Sequence, residues 1–474
     1  MSDALHYISA TDALQKFHSR ELSPVDLMQA VIEQSEIWEP HINAFSHTFF
    51  EQAMDEARAA EARYAKGEPM GVLDGLPLGM KDEVEVKGQP VTEGSLLYEH
   101  RMGEKDAVLV ARLREAGAIF HARTTCPEFC TLFNTQSRLF GVTRNPWNTD
   151  VTPGGSSGGS AAALAAGTAT LATGSDIGGS IRFPASQCGL VGFKPPYGRV
   201  PETLEPFNLE SYCANGPMAR TVADTALMQN VMSGSHPEDA ASTLPKIEIP
   251  LSFEGDLKGK RIAFTMDFDY LDIDDDIVRN TQDAVERLRS LGAEVVEVNL
   301  NFPDGIEQAY NAHMDPFFCA SIAGKLEEHG DQMCDYNVKL MKDAMARLNN
   351  KNAFYEGAIV ESKMYAKFGR LMTEFDALVC PTVMTNKLTA GFNPALEDHV
   401  VNGKVQEFDL RMSTCHIFNM MGRCPSISVP SGIGDNGVPT GLHIISKAFD
   451  DIAVFRIAAA MEKTWSEPFI PPPV

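Results

Sequence analysis

Residues 153–182 read PGGSSGGSAAALAAGTATLATGSDIGGSIR, a run made almost wholly of Gly, Ser, Ala and Thr. Such a composition is either a flexible linker or a place where the backbone must come very close to something. A linker would carry no secondary-structure punctuation, and this run does. Residues 157–167 are Gly-rich and then Ala-rich, which predicts a helix with a bare first turn. Residues 168–176 read as a strand, 177–180 as a loop, and SIRFPA (180–185) as the start of a further short helix or turn. Two Ser-bearing, Gly-rich loops therefore open at helix N-termini, where outward-pointing N–H groups stabilise negative charge.

Three readings of that arrangement stay open at this level. A phosphate cradle of the Walker type needs a Lys directly followed by Ser or Thr, and the run has no Lys. A dinucleotide GxGxxG is also missing. An oxyanion hole beside a nucleophilic Ser fits, because Gly178 and Gly179 let a carbonyl reach consecutive backbone N–H donors. A close-packing turn fits as well. A Ser nucleophile needs a base, usually His. The 12 His are dispersed, and His443 in GLHIIS reads as a satisfied sheet residue. Lys81 closes the apolar stretch LPLGM (76–80). As a base it must lose its proton, which burial or nearby positive charge would favour. An ordinary surface lysine after a strand is the alternative.

Around this core the pattern alternates. Ser23-Pro24-Val25-Asp26 predicts a capped helix start, followed by Leu27, Ala30, Val31 and Ile37 at helical spacing; the first sixty residues read as helical. A second helix is expected over about 50–66. Strands are expected at 76–80, 118–122, 260–266, 293–300, 376–382, 426–432 and 441–446, with helices at 106–117, 275–292 and about 452–464. The alternation predicts an α/β fold: one large α/β/α layered domain with a mixed central sheet covered by helices. The expected organisation is N-terminal helices (1–66), a catalytic core (67–240), a helical and strand insertion shaping a pocket (241–375) and a C-terminal sheet and helix (376–474).

The 474 residues carry 40 Lys plus Arg against 64 Asp plus Glu, a net charge of −24. That surface repels nucleic acid and anionic membranes and suits neutral or cationic small ligands. The N-terminus MSDALHYISATDALQKF has no basic and apolar leader pattern, and no run of 18 apolar residues predicts a membrane span. Nine scattered Cys without a CxxC pair read as reduced thiols in a cytoplasmic protein. Cys126 and Cys130 in TCPEFC lack the neighbouring ligands of a metal site, so no metal is expected.

The segments GLPLGMKDEVEVKGQPVTEGS (75–95), GAIFHARTTCPEF (117–129), GVTRNPWN (141–148), the 153–195 stretch, VCPT (379–382) and FNMMGRCPSISVPSG (418–432) together resemble the amidase signature family over nearly the whole chain, least from about 240 to 375. The combination of Lys81, GGSSGG and a GGS whose Ser lies 24 residues beyond Ser156 carries the resemblance. It implies amide hydrolysis by Lys81, Ser156 and Ser180, without a cofactor. Ser180 is then the nucleophile and Ser156 the bridging Ser, which in the family follows a cis peptide bond, here Gly155–Ser156. The backbone N–H groups of Ile177, Gly178, Gly179 and Ser180 are the implied oxyanion donors. Ser157, Asp176 and Arg182 are implied supports.

Substrate-binding candidates by the same alignment are Cys130, Thr131 and Phe133, with Tyr212, Met314 and Phe317 as further pocket candidates. The family includes the glutaminase component of a tRNA-dependent glutamine amidotransferase. Two charges that grip glutamine there are missing here: Met412 stands at the aligned Asp, and CASIAGKLEEHGD (319–331) has no Arg. The resemblance therefore implies a small neutral or aryl/alkyl amide as the partner molecule, with a homodimer left open. The other hypotheses are a family member turned into a non-catalytic binding scaffold, and the glutaminase component itself.

Overall fold

The structure is a computed structural model that describes residues 4–243, 245–407, 409–465 and 469–473. The first three residues of the N-terminus discussed above and the last of the Pro-rich tail lie outside them. Eleven strands form one mixed sheet. In chain order they are β1 (Phe45–Thr48), β2 (Pro77–Lys81), β3 (Ile119–Thr124), β4 (Leu171–Asp176), β5 (Val191–Lys194), β6 (Ala214–Ala219), β7 (Arg261–Phe264), β8 (Glu294–Glu297), β9 (Ala377–Pro381), β10 (Ser426–Ile433) and β11 (Pro439–Ile445). Their order in space is β1-β3-β2-β4-β6-β5-β10-β11-β9-β7-β8. The β3-β2-β4 and β9-β7-β8 pairings are parallel, and the other neighbours are antiparallel.

Helices cover both faces. They are α1 (Ala10–Ser19), α2 (Pro24–Ile42), α3 (Phe50–Lys66), α4 (Val108–Glu115), α5 (Gly158–Ala166), α6 (Arg182–Cys188), α7 (Val222–Met232), α8 (Asp275–Ser290), α9 (Ile306–Met314), α10 (Asp335–Arg347), α11 (Ala353–Leu371), α12 (Cys415–Met420) and α13 (Asp451–Glu462). Every residue of β2 and β3 is buried, as parallel strands covered on two faces must be. Ala284, Val285 and Leu288 of α8 join Phe455 and Ile457 of α13 in one core. Met364 and Phe368 of α11 join Ile306 of α9 and Phe418 of α12 in another. The layered α/β/α reading with a mixed sheet describes this architecture.

Two expectations need correction. Residues 45–48 fall within the stretch read as helical, yet they form edge strand β1. Asn43 at φ +51 ends α2, and the Glu39 carboxylate accepts from the amides of Ala44 and Phe45, both at 3.0 Å. The chain leaves the helix there and pairs with β3. Ile37 sits at helical spacing but is 60% exposed, so it is not part of the buried face of α2. The cap at Ser23 is present, its Oγ accepting from Val25 N at 3.0 Å.

Candidate active site

Strands β2 and β4 lie side by side and parallel, so their C-terminal ends point the same way. Lys81 is the last residue of β2 and is fully buried. Its main-chain N–H donates to Thr173 Oγ1 at 2.9 Å, which fixes the strand end against β4. Its Nζ donates to Ser156 Oγ at 2.8 Å and to Ser175 Oγ at 2.8 Å, and stands 3.1 Å from Glu83 Oε1. The buried position is the one required of a lysine base. The neighbouring charge has the opposite sign from the one expected. Burial is the largest single influence and works against the ammonium, but negative charge from Cys130, Glu83 and Cys126 together outweighs it. The amine is thereby held above the ordinary lysine range. Burial itself pushes the Cys130 thiol well up, so near neutrality the anion beside Lys81 is Glu83.

The two Gly-rich loops behave differently. The peptide bond between Gly155 and Ser156 is cis. Beyond it, Gly159 N donates to Thr125 O at 3.2 Å, so the first turn of α5 is not bare. The loop's glycines allow close packing: a Cβ at Gly158 would lie 2.2 Å from Thr135 Oγ1, and one at Gly159 2.4 Å from Thr125 N. The loop at 177–180 stays open. Among the described residues, the amides of Ile177, Gly178, Gly179 and Ser180 have no protein acceptor. Gly179 adopts φ +133, and a Cβ there would meet Cys415 Cβ at 2.6 Å. The loops are tied together by Ser157 N donating to Ser180 O at 3.2 Å, while Ser157 Oγ reaches only Ser175 O, at 3.4 Å.

A buried brace holds the open loop. The Asp176 carboxylate accepts from Ile181 N at 3.1 Å and Arg182 N at 3.3 Å, and takes two guanidinium bonds from Arg182 at 2.9 and 2.7 Å. Burial opposes its ionisation, but Arg182 and Asn419 more than offset this and hold it well below the usual carboxylate range. Arg182 also donates to Asn419 Oδ1 at 2.7 Å, to Cys415 O at 3.2 Å and to His443 Nε2 at 3.0 Å. His443 is therefore a buried sheet residue behind the brace. Its own proton affinity is driven well below the ordinary value by burial and by Arg182.

Two cavities meet at this point. One of about 310 Å³ is lined by Ser156, Ser175, Glu83 and Cys213, and one of about 90 Å³ by Ser180, Gly178 and Tyr310. Cys130, Ile177 and Phe318 border both. Of the pocket candidates, Cys130, Thr131, Phe133 and Met314 line the smaller cavity. Thr131 Oγ1 is engaged with Asn337 Oδ1 at 2.5 Å, and Phe133 stacks on Phe183 at 5.0 Å. Tyr212 and Phe317 line neither cavity. Tyr212 is buried with its hydroxyl on Glu361 at 2.9 Å, and Phe317 stacks on His313 at 5.2 Å. Both belong to an aromatic stack behind the wall. The smaller cavity is also not free of charge, as the missing Arg and Asp had implied. Arg347 and Asp409 line it, with Arg347 held by Asp315 through bonds of 2.8 and 2.9 Å. They arrive from residues far from the aligned positions.

Sequence reasoning missed Glu83, Ser175, Tyr310 and Asn419. Ser175 had a signal: it shares a face of β4 with Thr173, two residues away, and both contact Lys81. Tyr310 donates to Ile177 O at 3.0 Å from α9, and Asn419 Nδ2 donates to Asp176 O at 3.1 Å from α12. Nothing local in the sequence marks either contact. Among the described residues no group of three or more His, Cys, Asp or Glu is placed to hold a metal ion, and no helix is long and apolar enough to cross a membrane.

Known proteins align with this chain along its length. The glutaminase component of a glutamyl-tRNA(Gln) amidotransferase from Chloroflexus aggregans is 32% identical, covering 97% of this chain and 96% of its own. An acylamidase from Rhodococcus erythropolis is 31% identical, covering 98% and 97%. Among solved structures, a bacterial aryl acylamidase of the amidase signature family superposes with a TM-score of 0.89 at 28% identity, covering 98% of this chain and 97% of its own. The identities do not rank the acylamidase above the amidotransferase component. The family model described as Amidase matches residues 26–455, and the chain belongs to the amidase family.

Proposed function

We propose that the chain hydrolyses a small neutral or aryl/alkyl carboxylic amide through an acyl-enzyme on Ser180, with Lys81 and Ser156 relaying the proton. As a member of this family the chain is a hydrolase of amide C–N bonds. The observation that carries the proposed roles is the 2.8 Å contact of a buried Lys81 Nζ with Ser156 Oγ, beside a loop of four amides without acceptors. In the mechanism, neutral Lys81 accepts the Ser156 proton as Ser156 accepts that of Ser180. Ser180 attacks the carbonyl carbon, and the amides of Ile177, Gly178, Gly179 and Ser180 hold the oxyanion. The proton returns through Ser156 to the leaving amine, the C–N bond breaks, and water releases the acid by the same route. Asp176, Arg182 and Ser157 keep the loops in register.

Likeness to the acylamidases supports the amide class. The second reading is the glutaminase component of a tRNA-dependent amidotransferase, favoured by 32% identity to such a protein. Met412 in place of an acid weakens it, and the Arg347–Asp315 pair leaves that guanidinium already engaged. The test is to purify the chain alone and assay benzamide, acetanilide and glutamine. Turnover of the neutral amides is expected. Activity on glutamine alone, appearing only with the other amidotransferase components, would replace this reading by the second. A fluorophosphonate probe is expected to label Ser180 and not the Ser180→Ala variant; an unlabelled wild type would indicate a scaffold.

A further inference from the structure

Three oxygens surround Lys81 Nζ: Ser156 Oγ, Ser175 Oγ and Glu83 Oε1. An ammonium fills this cradle with three N–H donors. A neutral amine fills it equally well, its lone pair taking the Ser156 proton while two N–H groups serve Ser175 and Glu83. Hydrogen-bond geometry therefore admits both protonation states, and charge decides between them. Glu83 reaches the amine because the chain turns at the end of β2, where Val84 N donates to Lys81 O at 3.1 Å. Its second oxygen accepts from Cys130 Sγ at 2.8 Å, which fixes the carboxylate on both sides.

No other charge touches the amine. From the segment after β3, Cys126 and Cys130 face it as thiols, both raised above their ordinary range. Cys213, from the β6 side, is raised as well, chiefly by burial. Asp82 turns away toward Thr92 and Arg123. Asp176 is occupied by Arg182. Across the larger cavity, Glu93 pairs with Arg101 at 2.6 Å, and Glu202 caps the amides of Thr203 and Leu204 at 2.7 Å and accepts from Asn215 at 2.9 Å.

We propose that Glu83 holds the proton on Lys81 in the resting enzyme and so sets how alkaline the medium must be before the relay can run. The inference rests on the Lys81–Ser156–Ser180 reading above. Its proton balance is simple: as pH rises the Lys81 ammonium gives one proton to solvent, Glu83 stays a carboxylate, and the neutral amine then accepts from Ser156. Glu83 is a positioning residue, since it acts only through Lys81.

An opposite charge within a few ångströms raises the pH at which an amine deprotonates by about one to three units. Glu83→Gln keeps the shape and an acceptor but removes the charge. The acid limb of its kcat/KM–pH profile is expected to move down by about one to three pH units, so the variant outpaces wild type on the acid side. Glu83→Asp is expected to keep the wild-type limb. The pH dependence of fluorophosphonate labelling at Ser180 should move in parallel, a shift that a merely structural role would not produce. An unmoved limb, or a uniform loss at every pH, overturns the proposal. If Glu83→Gln does not fold, the 15N shift of Lys81 Nζ in wild type, assigned with Lys81→Ala, decides instead. An ammonium near neutral pH is expected, and an amine there overturns it. Lys81→Ala also separates the two inferences. If it labels as fast as wild type, the relay reading itself fails; if it does not label while Glu83→Gln leaves the limb in place, only the role of Glu83 fails.

Discussion

The two Gly-rich loops, 153–159 and 177–180, have nearly the same composition and opposite structural uses. In the first, glycine removes side chains so that α5 can press on Thr125 and Thr135, and the amide of Gly159 is consumed by Thr125 O. In the second, glycine removes side chains so that a cavity stays open, and four successive amides remain without acceptors. The close-packing reading and the oxyanion reading of the sequence each describe one of the loops. Glycine content reports that something comes close; whether it is protein or substrate depends on what stands opposite.

The sharpest way to break this contrast is at the serines. Ser180→Ala is expected to abolish turnover, a loss of about 10⁴-fold or more in kcat with an unchanged melting temperature. Measured activity in that variant would place the chemistry elsewhere. The brace comes next. Arg182→Ala leaves Asp176 as an uncompensated buried carboxylate and is expected to cost about 3–5 kcal/mol in denaturant unfolding. The pH dependence has a definite sign. In wild type the Asp176 carboxyl is depressed, so its contribution is full above the ordinary aspartate value and fades only as pH falls through the lower folded value. Without Arg182 burial raises that carboxyl instead, and the stability deficit should be smaller at about pH 5 than at about pH 8.

The glycines themselves separate the loops. Gly179→Ala places a Cβ 2.6 Å from Cys415 Cβ at φ +133, and its expected effect is a fall of about 10²–10³ in kcat through a displaced amide. Gly159→Ala overpacks against the Thr125 backbone and is expected to cost about 1–3 kcal/mol of stability, read as a lower denaturant midpoint. Equal losses of activity at equal stability in both would erase the distinction. The smallest effect belongs to Ser157→Ala. Its one side-chain bond is a 3.4 Å contact, so about 1 kcal/mol of stability or a few-fold in kcat/KM is the expected limit.

Much of the fold was legible because periodicity and punctuation are local. The helix from Phe50 to Lys66, the strand ending at Lys81 and the strand from Ser426 follow from runs of a few residues with clear caps or breaks. Strand β1 was not, because its partner β3 lies about eighty residues away and only Asn43 marks the break. The site divides along the same line. Lys81, Ser156 and Ser180 stand in motifs, whereas Tyr310 and Asn419 enter the site from helices whose own sequence says nothing about Ile177 or Asp176. Tyr212 and Phe317 illustrate the reverse error, aromatic residues that stack behind the wall and line neither cavity.

By itself the sequence determined the alternation that builds the sheet, and the residue types gathered at one end of β2 and β4. Local chemistry suffices for both, since caps, turns and motif spacing act over a few positions. Only the tertiary structure decided which loop keeps its amides free, which helices wall the two cavities, and that a carboxylate stands 3.1 Å from the Lys81 amine. Those are relations between segments distant in the chain or set by a turn, and an amine's charge depends on what folding places around it.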